Sequence, residues 1–100
     1  MRAVYKYELE ITDEQELLML RGAQPRLVGM QGGKLCLWAS VDPLLNPDDT
    51  EMRRFRVAGT GYVLPDGLAY IGTVLDDTRE AWDGPRLLVW HVFEDFGEEA

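Results

Sequence analysis

Residues 26–41, Arg26-Leu27-Val28-Gly29-Met30-Gln31-Gly32-Gly33-Lys34-Leu35-Cys36-Leu37-Trp38-Ala39-Ser40-Val41, decide the fold class. Two runs rich in strand-forming residues flank a Gly-Gly pair. Glycine reaches positive φ without a Cβ clash, so the pair predicts a tight β-hairpin turn. The second arm is apolar on both faces until Ser40, the pattern of a central strand in a closed or sandwiched sheet. Asp42-Pro43 ends it, and a polar loop over 42–51 follows.

Toward the N-terminus, residues 3–11 alternate: Ala3, Tyr5, Tyr7, Leu9 and Ile11 fall on one face, Lys6, Glu8 and Glu10 on the other. Period two predicts a strand with one wet face. Between Thr12-Asp13 and Gly22 the glutamates and leucines favour helix by propensity. The piece is short for a helix and its surroundings are β-rich, so a strand is expected at 15–20. Toward the C-terminus, strands are expected at 53–58, 69–75 and 86–94, separated by turn formers at 59–68 and by a charged connection from Asp76 to Pro85. Six or seven short strands and no strong helical period give an all-β domain, a small antiparallel sandwich or partly open barrel. It is expected to span 1–96 as one unit, with residues 97–100 a frayed tail.

Composition narrows the function classes. A chain of 100 residues with 46% hydrophobic and 28% charged side chains belongs with folded soluble domains. It has no apolar run of membrane-spanning length, and charges interrupt its first ten residues, unlike a signal peptide. Cys36 is the sole cysteine, which excludes an internal disulfide and leaves a thiolate metal cluster short of ligands. A cytoplasmic location and no cofactor are the expectations. The net charge of −8 repels phosphate at long range and argues against nucleic acid. That charge is uneven: 42–51 holds Asp42, Asp48, Asp49 and Glu51 with no base, and Arg53, Arg54 and Arg56 follow.

Each candidate site has two readings. Strand parity places Phe55 and Val57 on one face, Arg54 and Arg56 on the other. A guanidinium pair beside Gly59-Thr60-Gly61 suits a phosphate or carboxylate ligand, a nucleotide for example, but the lysine, spacing and following helix of a phosphate loop are missing. The alternative is a solvent face paired with acids. His91, the one histidine, would need an orienting acid and a nucleophile to act as a general base in a hydrolase; a half-buried, hydrogen-bonded histidine is the simpler expectation. Cys36 reads as core. The acids Asp48, Asp49, Asp76 and Asp77 read as solvated loop carboxylates, available to steer a basic partner. Trp82, in a connection just before Asp83-Gly84-Pro85, is either an exposed anchor for a partner or a cover over the sheet edge.

The pieces VYKYELEI, LVGMQGGKLCLWASVDP, RRFRVAGTGYVLP, LAYIGTV and LLVWHVFE together resemble a family of small uncharacterised proteins of bacteriophages and their bacterial hosts. The resemblance runs from Ala3 to Glu94 and departs at Trp82-Asp83-Gly84. It implies a phage or prophage origin and brings no catalytic residues. Proteins of that kind often act by binding host factors. The expected function is therefore an accessory protein that binds a host protein or itself without catalysis. Anion binding through Arg54 and Arg56 is the alternative.

Overall fold

Gly32 and Gly33 have φ of 59° and 76°, the two positive values a type I′ hairpin turn requires. They join β3 (Gln24–Gln31) to β4 (Lys34–Val41), and around this hairpin the computed structural model describes residues 1–77, 80–81, 84–85 and 87–97. The remaining strands are β1 (Ala3–Leu9), β2 (Gln15–Leu20), β5 (Thr50–Gly59), β6 (Leu68–Asp76), the two-residue pieces β7 (Glu80–Ala81) and β8 (Gly84–Pro85), and β9 (Leu88–Asp95).

Seven strands build two antiparallel sheets, ordered β1-β4-β3 and β2-β5-β9-β6, while β7 and β8 pair only with each other. The domain is all-β, as expected, and among the described residues there is no helix. β4 is the centre of its sheet, as its two-sided apolar pattern implied. Residues 15–20 form a strand despite their helical propensity, because β2 finds a ladder partner in β5, from Gln15↔Phe55 to Leu20↔Thr50.

The core lies between the sheets. Leu9, Val28, Leu35, Leu37, Ala39 and Val41 from one sheet meet Met19, Phe55, Val57, Val74 and Val92 from the other. Cys36 is buried too, but on the opposite face of β4: its cross-strand neighbour is Gly29, and a Cβ there would lie 3.6 Å from the Trp38 ring.

The two sides of the sandwich are built differently. On one side β3 and β6 pack against each other, each bent by a register shift, at Pro25/Leu27 and at Tyr70/Gly72. A Cβ on Gly72 would stand 2.7 Å from Val28 Cγ2, so glycine is what permits this approach. On the other side β1 and β2 share no ladder, and the loop between β4 and β5 spans the gap.

Candidate interaction site

The arginines separate by parity. Arg54 and Arg56 share a face, and carboxylates hold Arg56: its Nε donates to Asp95 Oδ2 at 3.1 Å and Nη2 to Glu14 Oε1 at 2.9 Å. Glu16 lies opposite Arg54 on β2, and a shallow depression of about 240 Å³ there is lined by Glu14, Gln15, Glu16 and Arg54. A phosphate would meet two acids in it. Gly59 ends β5, Gly61 takes φ of 91°, and the Tyr62 ring folds back to within 3.6 Å of a Cβ built on Gly59. The segment is the turn beside Tyr62 that its composition implied.

Arg53, the third arginine of the segment and a speculative binding candidate with the other two, faces the other way. It points inward on the Phe55 face, with 14% of its side chain exposed, and makes a bidentate pair with the buried Glu94 at 2.5 and 2.8 Å. Its third donor reaches Ala23 O at 2.8 Å. Glu94's hydrogen bonds raise the Arg53 pKa further above its already high ordinary value. The β5–β9 ladder starts at Phe55↔Glu94, so this side chain ties β5 to β9 where the backbone pairing has stopped.

Asp76 also departs from its expected role as a solvated loop acid. It closes β6 with no exposed surface, and Oδ2 accepts the Trp90 indole N–H at 3.0 Å. Asp77 just beyond is exposed. Asp49 bonds to Arg21 Nε at 2.8 Å, Asp48 sits in the loop with its N–H bonded to Asn46 Oδ1, and Glu51 accepts the Gly22 N–H at 2.8 Å. Trp82 lies outside the described residues.

His91 is half-buried and doubly bonded: Nε2 to Thr60 Oγ1 at 2.8 Å and Nδ1 to Thr73 Oγ1 at 3.0 Å, with Thr73 in turn bonded to Tyr70 OH. Both ring nitrogens are taken by hydroxyls, and among the described residues no carboxylate orients the ring as the acid of a triad does. Among the described residues no group of three or more metal-ligating side chains converges.

One feature among the described residues with the geometry of a binding surface is the gap between β1 and β2. Tyr5, Tyr7, Leu18, Leu20, Pro43, Leu45, Pro47 and Thr50 line a groove of about 210 Å³. Tyr5 is 42% exposed, Leu18 55% and Leu44 on the covering loop 75%. Asp42 Oδ1 accepts the Leu44 N–H at 3.0 Å and fixes that loop's first turn. One polar tie across the gap is the Leu20 N–H donating to Tyr7 OH at 3.4 Å. Polarity and period gave the strands here; the groove needed the sheet order, which no local signal carries.

The family model for Domain of unknown function DUF7352 matches residues 1–100. The chain belongs to this family. No curated protein and no solved structure shows a match to it. This member of the family is thus a small β domain whose surface ion pairs and hydrogen bonds suit protein contact. No helix among the described residues is long and apolar enough to cross a membrane.

Proposed function

We propose that the chain is a non-catalytic accessory domain that binds another protein, a host factor or a second copy, along the open β1/β2 side. One observation carries this reading: an exposed apolar groove, walled by tyrosines, leucines and prolines, lies between two unpaired strand edges. Aromatic and proline walls grip an extended segment through apolar contact, and a free edge offers it backbone hydrogen bonds. The net charge of −8 steers basic partners toward the domain. Anion binding draws less support, because the outward arginines are already paired or flanked by acids.

A photo-crosslinking residue placed at position 18, 44 or 75 tests it in bacterial host lysate. Leu75 is 61% exposed but lies on β6, away from the groove. Defined protein adducts are expected from 18 and 44 and not from 75. Adducts from 75 alone, or from none of the three, would overturn the proposal.

A further inference from the structure

The sheets have four lateral edges, and three are blunted. β3 carries Pro25 and a register shift and is packed on β6; β6 carries its own shift and is packed on β3. β2 is the shortest of the four, with six residues, and Glu14 and Glu16 place charge at its start without an opposite sign on the strand. β1 differs. Its seven residues pair with β4 in unbroken register from Ala3↔Val41 to Leu9↔Leu35, and no other described strand pairs with it. Alternate N–H and C=O groups of such a strand face outward unpaired, a template for another strand.

The side chains of β1 specify which strand. Val4, Lys6 and Glu8 project on the outer face, and all three are exposed. Two copies of β1 laid antiparallel about a two-fold axis at Tyr7 set Lys6 of each copy opposite Glu8 of the other, giving two opposite-charge pairs. The same register sets Tyr5 against Leu9 on the inner face, beside the groove. Moving the axis by one residue, to Lys6 or to Glu8, would set lysine against lysine or glutamate against glutamate, so the charges disfavour these slips. Lys6 has an exposed neutral partner, Gln31 Oε1 at 2.9 Å, which it can exchange for a carboxylate.

We infer that β1 pairs with β1 of a second copy, joining two three-stranded sheets into one of six strands. This rests on reading the β1/β2 side as the interaction surface, and it names the partner of the β1 edge.

Sedimentation of the full chain over a micromolar concentration series tests it, using Lys6→Glu, Glu8→Lys, their equimolar mixture and the double variant. A wild-type dimer is expected. Each single variant places four like charges in two pairs and should weaken association by roughly tenfold. The mixture and the double variant restore opposite charges and should restore the dimer, which also shows that the single variants are folded. A monomeric wild type at every concentration, or a dimer indifferent to these exchanges, would overturn the inference. A monomer that still gave adducts from positions 18 and 44 would retire the dimer and keep the groove. A charge-dependent dimer whose adducts are all with its own copy would identify the partner as self.

Discussion

The sandwich is shut by shape along β3/β6 and held by polar ties along β1/β2. At the first side Val28 presses on Gly72 with no room for a single carbon. Behind the second lie Tyr7 OH on the Leu20 N–H and Arg53 bridging Glu94, Glu51 and Ala23. Packed apolar contact is short-ranged and indifferent to pH, and it excludes ligands. Polar ties fix the spacing between two elements without filling it, which leaves a groove. The same core therefore supports one side that is closed and one that keeps an open groove.

The largest break in this contrast is expected at Glu94. Removing one member of a buried pair strands the other's charge in a site with little water, which costs about 3–5 kcal/mol. Glu94→Ala should lower stability by that amount in urea unfolding. The double variant Arg53→Met, Glu94→Leu should recover most of it, because apolar side chains of similar volume need no counter-charge. A Glu94→Ala protein as stable as wild type would show that the β5/β9 junction behind the groove does not depend on its ion pair.

Gly72→Ala probes the opposite side. The added methyl meets a buried valine tip on a packed strand, and overpacking of this kind costs about 1–3 kcal/mol. Val28→Ala opens the needed space, so the double variant should be more stable than the sum of the single losses implies. Strict additivity in thermal or urea unfolding would place the strain elsewhere. Binding in the groove should be unaffected by either change when measured below the unfolding transition.

How much of this was legible varies with the range of the forces involved. The hairpin at Gly32-Gly33 and the alternation of Tyr5, Lys6, Tyr7 and Glu8 are local, and both were readable from side-chain type and spacing. Strand order was not, because β5 takes β2 on one edge and β9 on the other, neither of them adjacent in sequence. Arg53 and Asp76 show a signal present but outvoted. Parity puts Arg53 with Phe55 and Val57, and Asp76 with Val74, yet charge alone points such residues to solvent. Only the partners reverse that: Glu94 for one and the Trp90 indole for the other, each brought in by the β9 register. The groove was illegible for the same reason, being a product of which strands became edges.

The smallest expected effect is in acid, and it bears on which side loosens first. Asp95 accepts the Gly97 N–H at 2.9 Å, and this bond, followed by Arg56, holds its carboxyl below the ordinary value of 3.8. A carboxyl near 3.9 in the unfolded chain and lower in the fold binds fewer protons when folded over that interval. Its stabilising contribution is therefore complete above about pH 5 and lost as pH falls through the folded value. Arg56 also holds Glu14 in the link between β1 and β2, so protonating Asp95 frees one end of a clamp on the β2 edge. Hydrogen exchange stepped down through pH 4 should then deprotect β2 amides before β6 amides, once intrinsic rates are corrected. Asp95→Asn should be less stable than wild type at pH 7 and lose less on acidification, the two curves converging at the lowest pH. Equal acid slopes would remove Asp95 as the sensor, and earlier deprotection of β6 would reverse the contrast between the polar side and the packed one.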